Sequence, residues 1–249
     1  MFMKKLFAMM LSLVLALSLS AALADDNTLT MATNASFPPY EFYEGETVTG
    51  IDVEICSAIA EKLGMEFEVA DMEFDAILSA VSSGKADVGM AGMTVTEERK
   101  QMINFSSSYA TGIQAVIVKE DSPIATVDDL YAEGADYKIG VQLSTTGDIY
   151  ATDDFGEDHV VPYPNGNDAT MALLAGKVDC VIIDNEPAKA YVAANEGLKV
   201  LETSYAVEDY AACIAKENTE LLEKFDAALK ELIDDGTVAA IIGKYIKAE

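Results

Sequence analysis

Basic side chains are scarce in this sequence: 16 lysines and arginines stand against 43 aspartates and glutamates, a formal net charge of −27. A chain so acidic repels nucleic acid and anionic membrane surfaces, so neither is expected as a partner. The excess reads as a solvated acidic surface and only weakly encourages a cationic ligand. Histidine is nearly absent. The single one, His159, lies in the acidic stretch DDFGEDH, which reads as an exposed loop. A Ser-His-Asp arrangement is therefore not expected, and carboxylates are too numerous for any one pair to mark acid–base chemistry. Cysteine is sparse: Cys56, Cys180 and Cys213. An odd number permits at most one bridge within the chain. No spacing resembles a metal site. Each cysteine sits in an apolar context, as a small buried hydrophobe would. No metal, cofactor or catalytic group is expected.

Long apolar runs are also missing after residue 24, so no later segment reads as a membrane span. The N-terminus is different. Lys4 and Lys5 precede a stretch from Leu6 to Ala22 that is apolar apart from scattered serines, and Ala22-Leu23-Ala24 places small residues where a signal peptidase reads. This is the pattern of a secretory signal peptide over residues 1–24. The alternative, a membrane anchor, is weakened by the short apolar run and the cleavage site directly after it. The segment contains no cysteine for lipid attachment. Cleavage leaves 225 residues from Asp25 and removes two lysines, taking the charge from −27 to −29. A periplasmic or extracellular location follows, and 225 residues suit one large domain or two lobes.

Strands and helices alternate along the rest. LTMATN reads as a strand leading into the loop FPPYEF. Ile51, Ile55, Ile59 and Leu63 share one helical face, with Gly64 as a stop. MEFEVAD alternates as a strand, Phe74 to Ser82 is a helix ending at Gly84, ADVGMAGM is a strand, and a helix begins near Thr96. Ile113 to Val118 and KIGVQL are further strands. This order predicts an α/β fold with parallel strands. One segment repeats: AVSSGKADVGMAG (residues 80–92) and ALLAGKVDCVIID (172–184) each end a helix at Gly-Lys and open an apolar strand after x-Asp. The glycine suits a left-handed cap. Two similar lobes are the reading preferred to a chance match of ordinary turns. The amphipathic stretches LLEKFDAALKELI and VAAIIGKYI, separated by Gly236, are expected to pack back on the first lobe.

Several groups at strand ends can hold a small zwitterion. In GMTVTEER, Thr94 and Glu97 have capping-box spacing, the helix start favours an anion, and Arg99 can grip a carboxylate with two N–H groups. Taken alone, this segment reads equally as a capped helix with a solvated arginine. STTG, with Thr146, can offer backbone amides, although alone it is a routine N-cap. Asp184 closes the strand VDCVIID and can accept from an ammonium group, or cap the NEP turn. Phe37 and Phe74, taken singly, suit the core better than a binding platform. The conjunction of Arg99, the amides near Thr94 and Thr146, and Asp184 is more specific than any member.

At these residues the sequence resembles the bacterial extracellular solute-binding proteins of the polar amino acid uptake family. The matching segments are ASFPPYEF, GIDVEICSAIAEKLG, DMEFDAILSAVSSGKADVGMAGMTVTEERKQMINFSSSY, IGVQLSTTGDIYA, GKVDCVIID and DGTVAAIIGKYI, spread over nearly the whole mature chain. The resemblance implies a type II periplasmic-binding-protein fold: two α/β lobes joined by two hinge strands, closing on ligand. It implies lobe 1 at residues 25–111 and 207–249, lobe 2 at 112–206, and crossovers near Ala110 to Gln114 and Ser204 to Glu208. By position, Arg99 with amides at Thr94 and Thr146 takes an α-carboxylate. The Gly92 carbonyl, the Thr94 hydroxyl and Asp184 take the α-ammonium, and Phe37 and Phe74 flank the side chain. Asn34 and Gln142 lie where the family varies with specificity. Cation binders often carry an acid in place of Asn34, which argues mildly against lysine or arginine, although Glu41 leaves this open. Ser144 stands where many relatives have glycine. The partners implied are a free amino acid and the permease of a membrane ABC importer, with the binding protein a monomer. Two other functions share the fold: a dehydratase-like enzyme, and a sensor input domain, which a spanning segment or signalling domain would mark. Neither is visible before the chain ends at Glu249.

Overall fold

The computed structural model describes residues 27–202 and 204–247. The signal segment and the proposed new N-terminus at Asp25 lie outside the described residues. In chain order, β1 (Thr28–Thr33) leads to a small meander of β2 (Ser36–Phe37), β3 (Glu41–Glu44) and β4 (Thr47–Thr49), then α1 (Ile51–Leu63), β5 (Glu66–Asp71), α2 (Phe74–Ser82) and β6 (Val88–Gly89). A four-residue turn of helix, α3 (Arg99–Met102), enters the long β7 (Ile103–Lys119). The chain continues through β8 (Ile139–Gln142), α4 (Thr146–Phe155), β9 (Val160–Tyr163), α5 (Gly166–Leu174), β10 (Cys180–Asp184), α6 (Asn185–Ala194) and β11 (Leu198–Val200). It returns along β12 (Ala206–Ala215) to α7 (Thr219–Asp234) and α8 (Thr237–Tyr245).

The main sheet has the order β5-β1-β6-β12-β7-β10-β8-β9, with β11 added beside β7. Its two ends are parallel, β5-β1-β6 and β10-β8-β9, as crossover helices require. Its middle is antiparallel: β12 runs against β6 and β7, and β7 against β10. Two parallel α/β units are thus joined by the β7–β12 pair. At about 3.3 Å per residue, the 17 residues of β7 reach from one unit into the other. The largest buried cluster runs through both units, from Leu29 and Ile55 to Leu173 and Val181, while two smaller ones divide between them. Ile77, Val81, Met93, Ile103 and Cys213 pack in the first unit, and Val116, Val118, Ile139, Val141 and Ile182 in the second.

Local sequence explains the elements. In α1, Ile51, Ile55 and Ile59 are fully buried, one turn apart, and Gly64 (φ 69°) ends the helix as its N–H closes on Glu61 O. The C-terminal helices bury Phe225, Leu229, Val238 and Ile241 and lie on α1, where Lys62 pairs with Glu231 at 2.7 Å and Tyr245 donates to Glu54 at 2.6 Å. The exposed ion pair adds little; the apolar face holds the helices down. Cys56, Cys180 and Cys213 are buried free thiols.

Two expectations fail locally. The strand read from ADVGMAGM is only Val88–Gly89, because Gly92 turns the chain at φ 53° and gives its N–H to Asp52 at 2.8 Å instead of a ladder. The helix expected from Thr96 shrinks to α3. Its first amide is caught by Thr96 Oγ1, which accepts from Arg99 N at 3.1 Å. Thr94, the expected cap, points elsewhere, so a helix N-terminus is not what this loop offers.

Candidate functional site

In a parallel α/β unit, the carboxyl ends of the strands open into loops that can surround a ligand. Here both units turn those ends toward each other. Asn34 follows β1, Phe74 opens α2 directly after β5, and Gly92, Thr94 and Arg99 follow β6. Gln142 ends β8, Thr146 opens α4, and Asp184 ends β10. Eight of the nine residues singled out from sequence, all but Thr94, line one narrow cleft, together with Glu41, Ala91 and Thr145. Thr94 stands beside it, its hydroxyl 3.4 Å from that of Thr146.

The cleft is closed by contacts between its two sides. Arg99 Nη1 donates to Thr94 O at 2.8 Å and Nη2 reaches across to Ser144 O at 3.1 Å. Gln142 donates to Asn34 Oδ1 at 3.0 Å, and Tyr191 donates to Ser36 O at 2.5 Å. Arg99 is 6% exposed and lies 5.5 Å from the centre of the Phe74 ring. Burial lowers its pKa from an ordinary arginine, but a guanidinium remains charged. Facing it, the first turn of α4 presents amides that lack intrahelical acceptors. Thr145 caps that helix by accepting from Asp148 N at 3.3 Å. Ser144 holds φ 63°, the left-handed region that glycine prefers.

Asp184 supplies the opposite charge. It is 8% exposed; Oδ1 accepts from Tyr210 and Oδ2 from Gln114 Nε2 at 2.8 Å. Burial raises its pKa to about 7, and neighbouring Glu208 pushes the same way against the donations of Tyr210 and Gln114. Gln114 also donates to Glu208 at 2.9 Å, so one amide on β7 bridges two carboxylates. Sequence reasoning missed Gln114, Glu208 and Tyr210. The available signal was a glutamine inside the apolar run GIQAVIVK, whose residues from Ala115 to Val118 are buried.

The remaining wall is apolar and amide. Phe37 stacks toward Tyr40 with centroids 5.9 Å apart, and a Cβ on Gly92 would fall 2.8 Å from the Phe37 ring. That position therefore needs glycine for space as well as for φ. Asn34 donates to Met72 O at 2.9 Å and accepts from Ser36 and Gln142, so its amide is held in place. Behind Gly92, Asp52 also accepts from Tyr109 at 2.7 Å, and burial raises its pKa to about 6. Asp52, in the first turn of α1, is fully buried. His159 is half-buried outside the cleft, with Nδ1 3.2 Å from Tyr137 O. Among the described residues, no group of His, Cys, Asp and Glu is arranged to hold a metal ion, and no helix is long and apolar enough to cross a membrane.

Comparison with known proteins bears on the family and the fold. Residues 29–248 match the pattern of the bacterial extracellular solute-binding proteins, family 3. The chain is 31% identical to the arginine-binding extracellular protein ArtP of Bacillus subtilis (strain 168), over 89% of this chain and 87% of that one. It is 28% identical to the L-cystine-binding protein TcyJ of Escherichia coli (strain K12), over 89% and 84%. Among solved structures it resembles the arginine-, lysine-, histidine-binding protein ArtJ of Geobacillus stearothermophilus, with TM-score 0.83, 34% identity and coverage of 89% and 96%. The two-lobe type II periplasmic-binding-protein architecture expected from the sequence is the one observed.

Proposed function

Because the chain belongs to the bacterial extracellular solute-binding proteins, family 3, we propose that it captures a free amino acid outside the cytoplasm and delivers it to an ABC importer. One observation carries this reading. A buried guanidinium, Arg99, and a buried carboxylate, Asp184, line a single cleft from its two sides. A zwitterion answers both. Its carboxylate exchanges places with the carbonyls that Arg99 now holds and meets the amides opening α4. Its ammonium meets Asp184 and the hydroxyl of Thr94. Phe37 and Phe74 cover the side chain. The relatives, named for arginine and cystine, support an amino acid as the ligand class.

We read residues 25–111 and 207–249 as one lobe and 112–206 as the other, with β7 and β12 as the two hinge strands. Neither lobe completes a grip alone, so ligand favours the closed form through contacts that exist only there. The closed face is what the permease reads. The family consists of substrate-binding proteins, and we read this member as a monomer that releases its ligand unchanged after export by a cleaved leader.

One titration tests capture and closure together. Addition of the cognate amino acid should raise the melting midpoint, since it binds only the folded chain, and should compact the protein in small-angle scattering. A midpoint that no common amino acid moves overturns capture. A raised midpoint with identical scattering overturns closure alone.

A further inference from the structure

The unmet hydrogen-bonding demand of this molecule is one-sided. Of the six buried side-chain polar atoms without a partner among the described residues, five are acceptor oxygens: both of Glu41, Asp52 Oδ1, Gln114 Oε1 and Glu208 Oε1. Each lies in or directly behind the cleft. Charge is lopsided in the same way. Glu41, Asp52, Asp184 and Glu208 are all at least 92% buried, and the one buried cation among them is Arg99. A buried acceptor without a donor, and a buried charge without a partner, are both costly. A neutral amino acid brings one carboxylate and one ammonium and leaves that imbalance as it was.

Glu41 is where the imbalance meets the ligand space. It is 1% exposed, lines the cleft, and no N–H or hydroxyl of the described residues donates to either oxygen, the carboxyl of Asp52 being the partner it meets. Its carboxyl lies against that of Asp52, and burial together with this neighbour holds it well above the usual carboxylate range. A proton shared between the two satisfies one oxygen of each and leaves the other Glu41 oxygen without a donor. We propose that the ligand is an amino acid with a cationic side chain, and that Glu41 takes this cation, in place of the acid that is absent at Asn34. This rests on the amino-acid reading above and adds the side-chain class. It reverses the mild sequence argument drawn from Asn34.

The groups around Glu41 favour the exchange. Asp52 from α1, Asp71 from β5 and Asp184 from β10 all disfavour a second negative charge there, with the phenols of Tyr40, Tyr109 and Tyr191 nearby. Tyr109 donates to Asp52, and Asp71 accepts from Ala35 N and Tyr43, so none of these offers Glu41 a positive charge. A ligand cation would supply it and expel the shared proton. Binding then releases a proton, and affinity rises with pH.

The test titrates arginine and citrulline, its uncharged isostere, into the exported protein and into Glu41→Gln, by calorimetry in two buffers of different ionisation enthalpy. Glutamine at position 41 keeps a donor toward Asp52 but removes the charge. Arginine should bind the native protein about 30-fold or more tightly than citrulline and release a proton that citrulline does not. Glu41→Gln should abolish most of that preference while leaving citrulline within about 3-fold of its native affinity. Citrulline binding the native protein as tightly as arginine overturns the proposal, and this ratio decides the matter even if the variant fails to fold. An equal loss for both ligands in Glu41→Gln assigns Glu41 to the shared proton only and also overturns it. If only neutral amino acids bind, the side-chain assignment falls and capture stands; if none binds, both fall.

Discussion

Residues 80–92 and 172–184 are built alike up to their last residues and then part. Gly84 and Gly176 hold φ 73° and 70°. Lys85 and Lys177 each return their N–H to a helix carbonyl, of Ala80 and Ala172, at 2.9 Å. Asp87 accepts from Thr30 N, and Asp179 from Lys138 N, both at 2.8 Å, tying each new strand to the one beside it. One turn chemistry thus serves both units. The strands that follow differ. β10 runs five buried residues between β7 and β8 and ends on a carboxylate, Asp184. β6 stops after two, pressed under Cys213 at Gly89, and its continuation swings out at Gly92 to carry Arg99. The same scaffold therefore delivers opposite charges to one cleft, and the strand's length decides which: a full strand aims its own last side chain, while a short one frees a loop.

The comparison breaks hardest at its charged ends. Arg99→Ala should lose about 30-fold to several thousand-fold in amino-acid affinity, from about 2–5 kcal/mol for one partner of a buried charge pair. Asp184→Ala should lose less, because Glu208 remains beside the ammonium position. Calorimetric titration of the two variants checks the order, and near-native affinity in Arg99→Ala would remove it from the site.

Titration separates the two ends next. Asp184 at about 7 and Asp52 at about 6 lie above the value of about 3.9 for an unfolded aspartate. Between those limits the native state holds protons that the unfolded chain has lost. This stability is fully present below about pH 4 and disappears as pH rises through about 6 to 7. Free protein should melt about 5 °C or more higher at pH 5 than at pH 8. Asp184→Asn should shrink that gap, which separates its share from the general repulsion of so acidic a chain. A melting midpoint that rises with pH over this range would contradict the burial account.

The smallest effect tests the shared turn. Alanine at Gly84 meets nothing within 4 Å and at Gly176 only Lys119 Nζ at 3.6 Å. Each substitution should cost only the left-handed backbone, about 1 kcal/mol, or about 2–4 °C of Tm. The two losses should match, and both should fall short of that for Gly92→Ala, where the Phe37 ring is also in the way. Unequal losses at Gly84 and Gly176 would show that the turns are not equivalent.

What the sequence determined by itself was local. Helical spacing placed α1 and α2 to the residue, glycines marked their ends, and the repeated Gly-Lys turn announced two units. Arg99, Asp184 and the loop residues were legible because each sits next to a strand end, where one-dimensional pattern and function coincide. Tertiary structure decided the rest. ADVGMAGM was too short a strand because Asp52, about 40 residues earlier in the chain, takes the Gly92 N–H. Thr94 is not a cap because Thr146, from the facing unit, meets it. Gln114, Glu208 and Tyr210 gather on Asp184 only when β7 and β12 bring them beside β10. Glu41 and Asp52 carry the same letters as the many acids on the surface, and nothing in their order marks them. Whether a carboxylate is a surface charge or a buried one in want of a cation depends on what excludes water from it, and those atoms come from distant parts of the chain.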